Sequence, residues 1–209
     1  MNPQYTIQSP NGKINIQIES GASLLWAVQH DGQPVILPSA IALELESGEV
    51  LGAGSSIKSQ VGRAVDSEFQ AINYRKAVVK DRYNLLRLDF EEQFSVEFRV
   101  YDDAVAYRFI TERPGELVIK REVANFNFSA DHPAFIPYLW DYRDGQIFNS
   151  SFESQYTEHL ISQFTPEALS LLPMLVDIGN GKKVVILEAD LEHYPGMYLD
   201  LNQTGIGLK

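Results

Sequence analysis

Apolar and polar residues alternate along several stretches of the chain. In residues 14–19, 86–91 and 94–100, every second residue is aliphatic or aromatic and the residues between are polar or charged. Successive side chains of a β-strand point to opposite faces of the sheet. Each stretch therefore predicts a strand with one dry face and one wet face.

Turn signals separate these stretches at short intervals. The dipeptides Asn-Gly at 11–12 and Asp-Gly at 31–32 favour the positive φ angles of tight hairpins. Two further hairpin tips are predicted at 102–103 (Asp-Asp) and 179–181 (Gly-Asn-Gly). The first of these would join a strand ending at residue 101 to an antiparallel strand over 105–110.

Two other segments carry specific predictions. Residues 183–189 include four consecutive aliphatic residues, which predicts a central strand covered on both faces. Thr165 as a cap and Pro166 at the first helical position predict one or two helical turns over residues 166–172. Many short strands with regular turns, without repeat or linker, indicate an all-β antiparallel sandwich. We interpret residues 1–209 as a single β-sandwich domain.

Composition narrows the functional classes. A formal net charge of −11 with scattered Lys and Arg argues against binding to nucleic acid. The absence of cysteine excludes disulfides and thiolate chemistry. No apolar run reaches the length of a membrane span. Residues 1–4 lack the features of a signal peptide, so we expect either a cytosolic protein or one whose signal has been removed.

Residues 130–156 mix aromatic rings with carboxylates and break the alternation. Such a segment suits a loop that faces a sugar or another domain. An aromatic part of the core with acidic surface residues is the equally weighted alternative. The rings that we consider for sugar or interface contact are Trp140, Tyr142 and Tyr156.

Glycosidases work with paired carboxylates, so the acidic residues near these rings are candidates for a site. Glu188 follows the aliphatic run at the end of a predicted strand. It is expected either to accept a hydrogen bond from the backbone or to contact a ligand or another domain. Glu153, flanked by rings, can supply one oxygen ligand to a hard cation such as calcium but not a whole site. Phosphate-loop, nucleophile-elbow and zinc-helix motifs are absent, and the four histidines are isolated in the sequence.

Three sequence blocks resemble the N-terminal domain of glycoside hydrolase family 97, which comprises bacterial α-glucosidases and α-galactosidases. Residues 7–14 (IQSPNGKI) look like the first strand and turn of that family. Residues 152–156 (FESQY) are similar to its Tyr-Glu-x-x-Tyr segment, with Phe in place of the first Tyr. Residues 186–199 (ILEADLEHYPGMYL) resemble its Glu-Ala-x-Leu-x-x-Tyr-Pro-Gly-Met block, which is the most specific of the three.

The resemblance implies an antiparallel β-supersandwich of the galactose-mutarotase kind, with little helix. It also implies that this domain packs on a (β/α)₈ barrel, absent here, that carries the catalytic groups and binds the oligosaccharide substrate. By position in its motif, Glu153 would be a ligand of a calcium ion shared with that barrel. We therefore expect no catalytic residue in this chain, no activity for it alone, and a periplasmic or secreted enzyme as its parent, although a cytoplasmic location stays open.

Two other functions are compatible with a sandwich of this kind. A free-standing carbohydrate-binding module would use the rings of Trp140, Tyr142 and Tyr156. A mutarotase-like epimerase would need a histidine and a carboxylate in one groove, such as His132 or His159 with Glu188, and no spacing in the sequence supports that pairing.

Overall fold

The computed structural model describes residues 3–139, 148, 153–192 and 194–209. Within these residues the regular secondary structure is almost entirely β, with one short 3₁₀ helix at Ile161–Gln163. Its internal contacts divide the chain into two compact units, residues 1–124 and 125–209. The strands are β1 Gln4–Gln8, β2 Ile14–Ser20, β3 Leu24–His30, β4 Gln33–Leu45, β5 Val50–Leu51, β6 Ile57–Gln70, β7 Val78–Phe90, β8 Phe94–Val100, β9 Val105–Thr111, β10 Ile119–Ala124, β11 Phe126–Asn127, β12 Pro133–Pro137, β13 Tyr156–Leu160, β14 Met174–Gly179, β15 Lys182–Ile186 and β16 Gly207–Leu208.

The first unit contains two antiparallel sheets. One has the order β1-β2-β3-β4, with β5 and β10 also paired to β4, and the other has the order β6-β7-β8-β9. The predicted alternation is confirmed in β2, where Ile14, Ile16 and Ile18 are buried and the residues between them are not. The Trp26 ring of β3 packs against the Tyr107 ring of β9 with centroids 5.6 Å apart, which joins the two sheets in one apolar core. The predicted antiparallel sandwich is confirmed.

The predicted hairpin tips are also confirmed. Asp31 and Gly32 both have positive φ angles, 52° and 73°, between the paired residues of β3 and β4. Asn180 and Gly181 repeat this arrangement between β14 and β15. Two successive positive φ angles match the right-handed twist of the flanking strands, which is why Asp-Gly and Asn-Gly are favoured there.

The expectation of one wet face is wrong for β8. Ser95 and Glu97, on the face predicted to be wet, are only 2% and 6% exposed. Strand β8 lies between β7 and β9, and Arg87 of β7 and Arg108 of β9 contact Ser95 and Glu97 on this face. Glu97 is balanced there by ion pairs with Arg99 at 2.9 Å and Arg108 at 3.1 Å.

The second unit contains a four-stranded antiparallel sheet with the order β13-β12-β14-β15 and a short β11–β16 pair. The buried face of the larger sheet carries Ala134, Ile136, Met174, Val176 and Ile186, most of them fully buried. Among the described residues, no helix has the length and hydropathy to cross a membrane.

Two expectations for this unit are corrected. Strand β15 is an edge strand rather than a central one, and Val185 is 47% exposed on its outer face. A strand with an unbroken run of aliphatic residues therefore does not need to be packed against other elements on both of its faces. The predicted helix over 166–172 is a turn in which Ala168 N–H donates to the Thr165 carbonyl at 3.2 Å. Glu167 has a φ of 63°, and Pro166 takes the turn position that suits its fixed φ as well as a helix start does.

Candidate functional site

Glu153 lies in the second unit, in the irregular residues that lead directly into the edge strand β13. Its side chain is exposed and does not point into the packed interior. Glu153 is separated from the first residue of β13 by two residues, and no hydrogen bond or ion pair of its carboxylate is found among the described residues.

Tyr156 begins β13, three residues after Glu153. Its hydroxyl donates a hydrogen bond of 2.9 Å to the Pro173 carbonyl, while half of the side chain stays exposed. The hydrogen bond ties one end of the ring to the backbone of residue 173, and the ring still offers apolar surface to the solvent. Trp140 and Tyr142, the other rings singled out in the sequence, lie outside the described residues.

Glu188 is half-buried just beyond the end of β15. Its Oε2 atom accepts a hydrogen bond of 2.7 Å from the backbone N–H of Met197. A Cβ placed on Gly196 would lie 3.9 Å from the same oxygen, which is van der Waals contact, so the backbone at residues 196–197 lies beside this carboxylate. Of the two roles open to Glu188 in the sequence, the structure shows a hydrogen bond to the backbone.

The end of the 186–199 block is fixed to the rest of the unit by backbone pairing. Ser170 and Leu199 exchange two hydrogen bonds, of 2.7 Å and 3.0 Å, and Ser170 also bridges to Tyr138. Tyr198 packs against Phe148 with ring centroids 5.0 Å apart. Burial, followed by the nearby charge of Glu188, raises the pKa of the Tyr198 hydroxyl.

A buried tyrosine and a histidine form a network that the sequence analysis did not find. The Tyr138 hydroxyl accepts a hydrogen bond from the backbone N–H of Thr165 at 2.8 Å and lies 2.8 Å from Nε2 of His159. Nδ1 of His159 lies 2.9 Å from the Leu160 carbonyl, which can only accept, so Nδ1 carries the proton. Tyr138 then donates to Nε2. Both nitrogens of His159 have structural partners, and residues 21 positions apart give no sequence signal of this pairing.

Possible metal ligands were compared across the part of the chain that the structure describes. Among the residues that the structure describes, no group of three or more His, Asp or Glu side chains is arranged to hold a metal ion. Glu153 fits a hard cation as a single exposed oxygen donor, and a full shell of six to eight oxygens would need further ligands.

Comparison with known proteins identifies the family. Residues 7–208 match the family model described as glycosyl-hydrolase 97 N-terminal. The chain is 35% identical over 204 residues to the retaining α-galactosidase of Bacteroides thetaiotaomicron. That match covers 96% of this chain and 31% of the relative, so the chain spans about a third of its length.

Solved structures share the fold. A β-arabinopyranosidase has a TM-score of 0.86 at 19% identity, covering 98% of this chain and 34% of its own. A glycoside hydrolase family 97 enzyme from Pseudoalteromonas sp. strain K8, in complex with panose, has a TM-score of 0.82 at 22% identity, covering 98% of this chain and 31% of its own. The match over almost the whole sequence, together with the antiparallel sandwich, shows that this chain belongs to the N-terminal domain family of glycoside hydrolase family 97.

Proposed function

We propose that this chain is the non-catalytic N-terminal domain of a calcium-dependent glycoside hydrolase that acts on α-galactosides or α-glucosides. The catalytic groups and the oligosaccharide site then belong to a (β/α)₈ barrel elsewhere in the polypeptide. The 35% identity to a retaining α-galactosidase, over about a third of that relative, supports this division and favours α-galactosides. A periplasmic or secreted location is part of the proposal.

The observation that carries the proposal is the exposure of Glu153 directly before the edge strand β13. In the proposal its carboxylate is one ligand of a calcium ion, and the barrel supplies the others. An exposed carboxylate is a hard oxygen donor, which is the ligand type that calcium prefers. When bound, the ion supplies a fixed positive charge beside the sugar.

The outer face of the β13-β12-β14-β15 sheet supports contact with another domain. Tyr156, Leu160 and Val185 lie on the same face, as the strand registers show, and each is more than a third exposed. Exposed apolar faces of this kind mark interaction surfaces in soluble proteins. Because Glu153 lies at the β13 edge of this sheet, a barrel that covers the face would also come close to the carboxylate.

The test uses the full-length enzyme that contains this region, stripped of metal with a chelator. Activity on a chromogenic α-galactoside is measured against free calcium for the wild type and for Glu153→Gln. We expect the variant to need at least about tenfold more calcium for half-maximal activity. Replacing residues that only support the ligands of a metal ion already lowers metal affinity by about tenfold or more. Glu167→Gln, at an exposed position of the turn over residues 165–168, is the matched control. An unchanged calcium requirement in Glu153→Gln contradicts the proposal.

A free-standing carbohydrate-binding module is the competing function, and the half-exposed Tyr156 ring is the described feature that favours it. Calorimetric titration of the isolated chain with galacto- and malto-oligosaccharides separates the two. The module predicts binding that is lost in Tyr156→Ala. The enzyme-domain proposal predicts no measurable binding to the isolated chain.

A further inference from the structure

Strands β6 and β7 form a hairpin that extends beyond its own sheet. The two strands pair from Ile57–Phe90 at the base to Gln70–Val78 near the tip. Strand β8 pairs with β7 only over residues 84–89. From residue 83 to the tip the hairpin is therefore a two-stranded ribbon, and ribbons without further cover are only marginally stable in water.

Strand β6 is also a long edge strand. It has 14 residues, or about 46 Å of strand, and no described strand pairs with its outer edge. Its side chains are exposed almost throughout, including Val61 at 51% and Phe69 at 54%. Proteins usually shorten, cover or pair an edge of this length because its free N–H and C=O groups invite another strand.

The two ends of this sheet carry opposite charge. The loop at the tip, residues 71–77, holds Arg75 and Lys76 with no carboxylate, and Ile72 beside them is 89% exposed. The base of the hairpin has three carboxylates, Glu49, Glu91 and Glu92, around a shallow concavity of about 450 Å³.

The acidic base is only partly neutralised. Of the described residues that line the concavity, Arg113 is the one cation, and it forms a two-bond ion pair with Glu49, at 2.6 Å and 2.7 Å. Glu92 accepts a backbone hydrogen bond from Ser56 through Oε1 at 3.2 Å. Its Oε2 atom is buried without a hydrogen-bond partner among the described residues. The base therefore keeps an excess of negative charge, and the exposed Glu91 presents it at the surface.

We propose that two copies of this chain pair through their β6 strands, antiparallel about a twofold axis, so that the cationic tip of each meets the acidic base of the other. Antiparallel pairing along the edge places tip against base at both ends at once, which is the self-complementarity that a twofold interface requires. The chain's net charge of −11 otherwise opposes self-association. Attraction between the cationic tip of one copy and the carboxylates of the other therefore determines the relative orientation of the two strands.

The sequence of β6 allows such pairing without like charges facing each other. In the register that centres Ala64 on the axis, Lys58 lies opposite Gln70 of the second copy, and Gln60 lies opposite Glu68. In the same register Gly62 faces Asp66 and Arg63 faces Val65. Opposed like charges, which destabilise cross-strand pairs, do not occur in this alignment.

The test measures the oligomeric state of the 209-residue chain by sedimentation equilibrium. We expect a dimer whose dissociation constant rises about a hundredfold in the double variant Arg75→Glu, Lys76→Glu, and in the double variant Glu91→Lys, Glu92→Lys. The combination of all four substitutions exchanges the charges and is expected to restore dimerisation. The matched control, Lys13→Glu with Lys120→Glu, makes the same change in net charge at exposed positions away from both ends and should leave the dimer intact.

Circular dichroism spectra establish that each variant is folded before its association is compared. Restoration by the charge exchange supports the proposal, because damage to the fold cannot be repaired in this way. A monomer in the wild-type chain at millimolar concentration overturns it. A dimer whose dissociation constant does not change in the Arg75 and Lys76 double variant also overturns it. The same holds if the control variant raises the dissociation constant as much as that double variant does. Loss of dimer in Val185→Ser with Leu187→Ser would assign the contact to the second unit instead and also overturns the proposal.

Discussion

The Oε2 atom of Glu188 accepts a hydrogen bond of 2.7 Å from the backbone N–H of Met197, nine residues later in the chain. This contact folds the 186–199 block back on itself. A carboxylate rather than a neutral acceptor makes the bond stronger, since charge-assisted hydrogen bonds are about twice as strong as neutral ones. Glu188 therefore acts on the shape of the block that is most specific to the family.

Substitution of Glu188 tests this role. Glu188→Ala leaves the Met197 N–H without its acceptor, and we expect the free energy of unfolding to fall by about 1–3 kcal/mol. Glu188→Gln keeps an acceptor oxygen and should cost less. Urea denaturation measures both, with Glu192→Gln at a nearby exposed position as the control. A cost for Glu188→Ala no larger than that of the control would show that the hydrogen bond contributes nothing.

The Tyr138 hydroxyl is predicted to be important for the stability of the second unit. Tyr138→Phe removes the partner of both the Thr165 N–H and His159 Nε2. Groups left unpaired in a partly buried site should lower the free energy of unfolding by about 1–3 kcal/mol. Tyr156→Phe, which removes one hydrogen bond from an exposed ring, should cost less than about 1 kcal/mol. Equal costs in the two variants would contradict the network.

The pH dependence of stability should include a contribution from Asp89. Hydrogen bonds from Ser95, then Arg87 and Ser59, lower the pKa of this carboxyl below its ordinary value. A lowered pKa in the folded state stabilises the protein above the unfolded pKa of about 4, and the stabilisation is lost as the pH falls through the folded pKa.

The measurement is an NMR titration of the Asp89 carboxyl carbon. In Ser95→Ala the pKa of Asp89 should move up towards its ordinary value, because Ser95 is the largest cause of the shift. Ser59→Ala removes a weaker contributor and should move it less. An Asp89 pKa that is unchanged in Ser95→Ala would refute the assignment.

Most of the strands and hairpins could be predicted from the sequence because they depend on local order. Alternation places Ile14, Ile16 and Ile18 on one face, and Asp-Gly at 31–32 favours positive φ whatever surrounds it. The wrong predictions concern positions whose surroundings come from other parts of the chain. Glu97 is buried where Arg108 of the neighbouring strand pairs with it, and Val185 is exposed because the described residues leave the outer face of its sheet largely uncovered.

The residues of the candidate site also divide into those that the sequence could predict and those that it could not. The prediction for Glu153 rests on five consecutive residues of sequence, and its role as a calcium ligand stays a prediction. The Tyr138–His159 contact could not, because it depends on the register of β12 and β13 rather than on spacing. Likewise, sequence places Glu188 at the end of a strand, but only the fold of residues 188–197 shows the Met197 N–H as its partner.

Crystallography of the full-length enzyme with calcium tests the central claim most directly. We predict an anomalous peak at the barrel interface with a Glu153 carboxylate oxygen within about 2.3–2.6 Å of the ion. The same peak should weaken or vanish in crystals of Glu153→Gln. A calcium ion whose shell is complete without Glu153, or an enzyme that is fully active with no ion near this carboxylate, would contradict the account.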